Sequence, residues 1–317
     1  MKILASLCLT PLLAASTLSA QVASSPFNED FSGSGTNFNP AFWGPQVTLR
    51  GSGGVLSMAN SNLNWDAAAP AGSSANSQAL PSVCFVPFNV GFRVEATVSI
   101  PNMNVFENIS AGGDVAIGIG VFSGRELLAD PSFNPANPGA NVSSLQNNIG
   151  IEALVFNPNG GGTATNSIRV QSDASTAGAD PERENGEGLD EPGDIAFAGT
   201  SATISIRIEW DPLSEVMSTS ITGGGNEGSV IRFLNLPEGW GDGTLGDFGN
   251  SAETDLFGIN IAAFASDEVN DGEIVMTGFT AETTTEGGFF VHVPEPSTYA
   301  AIVGLLALGC ARMRSRH

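Results

Sequence analysis

From Phe92 to Ile100 apolar and polar residues alternate without a break. Phe92, Val94, Ala96, Val98 and Ile100 fall on one side, Arg93, Glu95, Thr97 and Ser99 on the other. Ile204, Ile206, Ile208 and Trp210 repeat the pattern against Ser205, Arg207 and Glu209. A period of two fits only an extended strand with one buried and one wet face. Further strands are expected at 115–122, 148–156, 167–171, 257–264 and 273–280, and no comparably long helical pattern runs between residues 24 and 292. The joints are rich in Gly, Pro, Asn and Asp, as turns require. Gly160-Gly161-Gly162 and Gly223-Gly224-Gly225 have neither the lysine nor the following helix of a phosphate cradle, and read as turns. Many short strands with such joints predict an all-β chain, a two-sheet antiparallel β-sandwich. One polar stretch, 172–194, carries eight acids and a single arginine and reads as a long acidic loop.

The two ends differ from this middle. Met1-Lys2, an apolar run over 3–13 and small residues over 14–23 have the order of a secretory signal peptide, an N-terminal signal helix cut after Ala20 or Ala23. At the other end Val293-Pro294-Glu295-Pro296-Ser297 precedes an apolar run over 299–311, then Arg312, Arg314 and Arg316. The prolines isolate the run from what precedes it. Its 13 residues fall short of the ~20 that span a bilayer comfortably. The arginines nonetheless mark its far end as cytoplasmic. Pro294-Glu295-Pro296, the short apolar helix and the basic end together resemble the PEP-CTERM sorting signal. That resemblance covers 293–317. It implies a transient transmembrane helix, an exosortase-type processing protease as partner, and delivery to the cell envelope, cell surface or extracellular matrix.

Between these ends lies one domain, 24–292. The chain has 33 acidic and 11 basic residues; all the acids but Glu295 fall in the domain, with seven arginines and no lysine, a formal charge of −25. Such a surface repels phosphate backbones and anionic lipid, so nucleic acid is excluded as a partner. Solubility in a salty medium accounts for the charge, and binding of divalent cations is the sharper alternative. Cys8 and Cys310 lie in the end segments, leaving Cys84 alone and no disulfide within the domain. His292 is the domain's one histidine and sits at its end, which removes histidine zinc sites, Ser-His-Asp triads and Cys-His nucleophiles.

Phe27-Asn28-Glu29-Asp30-Phe31, Phe42-Trp43, Gly53 to Met58, the hairpin around Trp210-Asp211-Pro212 and the closing stretch Asp271 to Phe279 resemble concanavalin A-like lectin/glucanase sandwiches. The resemblance implies a jelly-roll arrangement of the two sheets. That fold carries lectins, glycosidases and plain interaction modules, so it does not fix a function.

Three groups of residues could carry chemistry. Glu209, Asp211 and Glu215 are the catalytic candidates. A retaining glycosidase needs two carboxyls ~5–5.5 Å apart, and Glu209 and Asp211 share a strand face. Against this, Asp211-Pro212 reads as a turn with the strand returning at 216–221, because proline does not belong inside a central strand. Trp65, between Asn64 and Asp66, and Trp240, in a glycine-rich setting, are candidate ligand-binding surfaces for sugar rings; burial in the sandwich is the alternative for each. Trp43 and Trp210 read as core. Asp267, Asp271 and Glu273 cluster carboxylates in one loop, a candidate metal site for Ca2+, although a charged turn explains them without an ion. The expected function is a non-enzymatic surface or matrix protein contacting exopolysaccharide or another glycan. The alternatives are a glycan-active hydrolase or lyase and a ligand-free structural spacer.

Overall fold

The structure is a computed structural model of the 317-residue chain. It describes residues 22–23, 25–51, 53–69, 75–102, 113–123, 148–156, 167–175, 182–183, 195–197, 201–222, 230–234, 256–288 and 290–292. Every regular element among them is a β-strand, and the strands form two antiparallel sheets. The two-sheet antiparallel sandwich expected from the alternating pattern is therefore the architecture found.

Sheet I runs in the order β1 (Val22–Ala23), β18 (Phe290–His292), β6 (Asn76–Pro87), β16 (Leu256–Ala265), β8 (Asp114–Ser123), β9 (Asn148–Phe156), β10 (Ser167–Ser175), β12 (Ile195–Phe197), with β3 (Val47–Arg50) also on β6. Sheet II runs β11 (Glu182–Arg183), β15 (Val230–Leu234), β14 (Val216–Thr222), β13 (Ala202–Asp211), β7 (Phe92–Ile100), β17 (Val275–Thr283), β5 (Asn62–Ala67), β4 (Gly54–Ala59). Along its outer edge β17 takes two partners in turn, β5 at Val275 and Met276 and then β2 (Phe27–Glu29) at Phe279 to Ala281.

The two strands read first from sequence are the centre of sheet II. Each apolar residue named in β7 and β13 is buried, and each polar one is half-buried or exposed on the far side. These side chains meet Val115, Ile117, Ile119 and Val121 of β8 and Ile149, Ile151, Ala153 and Val155 of β9 in one core. Aromatic rings close it. Phe27 stacks on Phe42 with centroids 3.9 Å apart, and Trp43 lies 4.9 Å from both Phe42 and Phe279. Trp210 packs on Phe88 and Phe257, and its indole N–H donates to the Phe88 carbonyl at 2.8 Å.

The acidic stretch 172–194 is not loop throughout. Ser172 to Ser175 continue β10, paired with Ile151 back to Asn148, and Glu182–Arg183 form β11. Polar residues sit comfortably in a strand whose neighbour supplies the hydrogen bonds, so composition alone misplaces them. Residues 176–181 and 184–194 lie outside the described residues, as do 1–21 and the whole sorting tail with Pro294, Glu295 and Pro296. Val22 and Ala23, counted with the signal segment, pair with Val291 and Phe290. No described helix is long and apolar enough to cross a membrane.

Candidate functional site

The register of three strands builds a charged grid on the outer face of sheet II. Arg93 of β7 lies between Glu282 of β17 and Glu209 of β13; one residue pair further, Glu95 lies between Thr280 and Arg207. Opposite charges directly across an antiparallel pair attract, and here they meet. Arg93 Nη1 is 3.1 Å from Glu282 Oε1, Arg93 Nη2 is 3.3 Å from Glu209 Oε1, and Arg207 Nη2 is 2.6 Å from Glu95 Oε2. The two carboxylates beside Arg93, Glu209 first, raise its pKa above the ordinary arginine value. In the next row Thr97 and Ser205 share a hydroxyl hydrogen bond at 3.1 Å. Beyond β17 the Thr280 hydroxyl donates to Asn28 Oδ1 at 2.9 Å.

This grid borders a groove of about 380 Å³ running over β2, β17 and β7. Its floor is open because β17 slips register between Met276 and Gly278, and Gly278 brings no side chain to the face. A Cβ placed there would meet no atom within 4 Å. Hydroxyl and amide groups of Thr97, Thr277, Thr280 and Asn28 share the wall with Arg93, the carboxylates of Asp30, Glu95 and Glu282, and the edge residue Glu29.

Two of those carboxyls differ in character. Asp30 is exposed and accepts the Ser32 N–H at 2.9 Å; hydrogen bonds from Ser32 hold its pKa below the ordinary value. Glu29 shares its strand side with Phe27 and reaches beneath the sheet edge toward Trp43. Burial, the largest influence, raises its pKa; the Phe31 N–H, 3.3 Å from Oε1, and the Trp43 indole N–H oppose it. Glu29 Oε2 and Trp43 Nε1 are both buried without a partner at hydrogen-bond geometry.

The sequence candidates fare differently. Glu209 belongs to the grid, bound to Arg93 rather than to a second carboxyl. Asp211 and Glu215 form the β13–β14 turn, whose flanking residues Asp211 and Val216 are paired. Asp211 accepts the Leu213 N–H at 3.0 Å and the Ser214 hydroxyl at 2.6 Å, an Asx-type turn. Glu215 takes a left-handed φ of 54° where the chain reverses. Asp211 and Glu215 thus lie in a turn between β13 and β14, while Glu209 is paired with Arg93 in the grid. Trp65 is 0 % exposed. Gly54 of the paired strand lies against its ring, where an added Cβ would come within 2.2 Å. A ring face covered in this way cannot stack on a sugar, so Trp65 is a core residue and not a ligand surface. Trp240 lies outside the described residues.

Asp267, Asp271 and Glu273 do not converge on a metal position. Glu273 accepts the Asn270 N–H at 2.8 Å and its side-chain amide at 3.2 Å, and Asn64 Oδ1 accepts the Gly272 N–H at 3.0 Å. The loop closes on itself, and among the described residues no three acidic, histidine or cysteine side chains are placed to hold a metal ion. The groove was missed because its walls come from Asn28, Arg93 and Glu282, distant in sequence and joined only by strand register. The polar face of β7 was its one visible trace.

No family model and no curated protein matches the chain. Solved structures are similar to it at a distance. Peanut lectin with a 9mer peptide has a TM-score of 0.44 and 10 % identity, over 83 % of this chain and 98 % of that one. A lectin from Bauhinia forficata in complex with GalNAc has 0.42 and 11 %, over 83 % and 99 %. The endo-1,3-beta-glucanase from Streptomyces sioyaensis has 0.44 and 16 %, over 82 % and 96 %. At that distance the likeness says nothing about what this chain binds.

Proposed function

We propose that this is an exported, non-enzymatic surface or matrix protein whose sandwich contacts a glycan in the outer groove of sheet II. In this reading the first 23 residues direct export and the tail at 293–317 is handled by an exosortase-type protease. The observation that carries the glycan contact is the groove itself. It is open at Gly278 and lined by hydroxyls, an amide and charged hydrogen-bonding groups, the donor and acceptor mix that sugar hydroxyls match.

The geometry argues against hydrolysis on this face. Both kinds of glycosidase need a pair of carboxyls, one of which delivers a proton. Glu209 and Glu282 are each paired through one oxygen with Arg93 and Glu95 through one oxygen with Arg207, which favours the ionised form of all three over a proton donor.

The test is retention of the purified protein on an array of neutral, cationic and anionic polysaccharides, beside Gly278→Leu. The added side chain enters open space at an ordinary φ, so the unfolding midpoint stays put while saturable binding is lost. Long incubation releases no reducing ends. A flat response across the array, or binding indifferent to Gly278→Leu, overturns the reading.

A further inference from the structure

We propose that the groove, read as a glycan site above, selects sugars carrying a free amine and rejects uronic acids. The lining presents three outward carboxylates, Asp30, Glu95 and Glu282, against one arginine, Arg93, while Glu29 borders the groove with its carboxyl buried beneath the sheet edge. That arginine is already shared between Glu282 and Glu209 at 3.1 and 3.3 Å, so it offers an incoming carboxylate little uncompensated charge. Arg207, the next cation along the grid, is closed on Glu95 at 2.6 Å. The excess is negative, and the domain's charge of −25 adds a field of the same sign. Asp30 is the group best placed to meet an ammonium, being exposed at the rim and held ionised by the Ser32 hydrogen bonds. The hydroxyls of Thr97 and Thr280 and the Asn28 amide then face the uncharged part of the ring.

A unit charge pair at the wet rim of a groove lies between the bulk-water and protein-surface limits. The expected preference for an amino sugar over its N-acetylated form is therefore about five- to tenfold. It shrinks as ionic strength rises from 0.01 M to 1 M, where the screening length falls from about 30 to about 3 Å.

The experiment is saturation-transfer NMR and calorimetry of the full chain with three disaccharides: β-1,4-linked glucosamine, its N-acetylated form and galacturonate, with trilysine as a fourth probe. Asp30→Asn removes one groove charge. Glu268→Gln removes one charge from an exposed position outside the groove and serves as the control for the general field. Expected is glucosamine tightest, galacturonate absent, the glucosamine preference lost in Asp30→Asn and kept in Glu268→Gln. Equal binding of the amine and N-acetyl forms, or an equal effect of the two variants, overturns the selectivity and leaves the glycan site standing. Trilysine binding as well as glucosamine with the same Asp30 dependence overturns the sugar assignment. Binding of no probe sinks the glycan site together with its selectivity.

Discussion

Replacing Trp65 by alanine separates a core indole from a sugar platform. The side chain is fully buried in β5 against Gly54. An indole of this kind removes about 150–250 Å² from water, worth about 4–6 kcal/mol at ~25 cal/mol/Å² as an upper bound. Measured truncations of buried aromatics fall at about 3–5 kcal/mol. One feature lowers the expectation toward the bottom of that range. The Trp65 N–H is buried without a partner, and an unmet donor costs about 1–3 kcal/mol that alanine no longer bears. Trp65→Ala is therefore expected to lose about 3 kcal/mol, which moves a urea midpoint down by about 1 M for a slope of ~3 kcal/mol/M. Trp65→Phe keeps most of the apolar contact and drops the unmet donor, so the two effects oppose and the change stays under about 1.5 kcal/mol. The assay is urea unfolding followed by circular dichroism for both variants, with polysaccharide retention measured on Trp65→Phe. A shift below about 0.3 M in Trp65→Ala accompanied by lost retention in both variants would refute the placement and restore the indole as a ligand surface. If Trp65→Ala does not fold at all, the retention of Trp65→Phe still decides the point.

Gly54→Ala puts a Cβ within 2.2 Å of the same ring and is expected to cost about 1–3 kcal/mol by overpacking, read from the urea midpoint. The Cys84 thiol is buried, donates to the Ala41 carbonyl at 3.0 Å and is pushed up to about 12 by burial; it should resist iodoacetamide at pH 8 until the protein is unfolded. Glu29 and Asp114 are carboxyls raised by burial, so the folded state holds their protons above the ordinary carboxylate range. Their contribution to stability is full below the unfolded pKa and lost as pH rises through the folded value, and Glu29→Gln should flatten part of the fall in unfolding midpoint above about pH 4.5. Asp211→Ala removes two hydrogen bonds from an exposed turn and should lower stability by about 1 kcal/mol while leaving glycan retention unchanged.

How far sequence reached depended on how each strand is buried. β7 and β13 carry one wet face and were legible to the residue, and 148–156 was placed with the bounds β9 has. β6 went unseen because nearly all of it is buried on both faces, with Pro81 and Pro87 inside it, so no alternation remains to read. β5 does alternate, Leu63, Trp65 and Ala67 inward, but asparagine and aspartate between them gave it the look of a loop. That look left Trp65 open to two readings, a ligand surface or a buried plug of the sandwich. The expected strand at 273–280 begins two residues later, at Val275, because Glu273 is drawn into the Asn270 turn.

Among the described residues no aromatic side chain is exposed on the groove, and this bears on how the proposed site would bind. Among the described residues the large apolar side chains at the surface are Val55 and Leu213, neither on the groove. Without a stacking platform, affinity rests on hydrogen bonds worth a net ~0.5–1.5 kcal/mol each, set against the loss of freedom on association. A few such bonds leave a dissociation constant near 1 mM, about −4 kcal/mol. Rebinding along a polymer of identical units offsets that weakness, because an effective concentration in the millimolar range is enough to fill a millimolar site repeatedly. A polysaccharide on a surface should therefore be held where its disaccharide is barely retained, and affinity should climb with chain length until the polymer outspans the groove and its neighbours. An affinity already saturated at two sugar units would mean a tighter, preorganised pocket than the open face of sheet II provides.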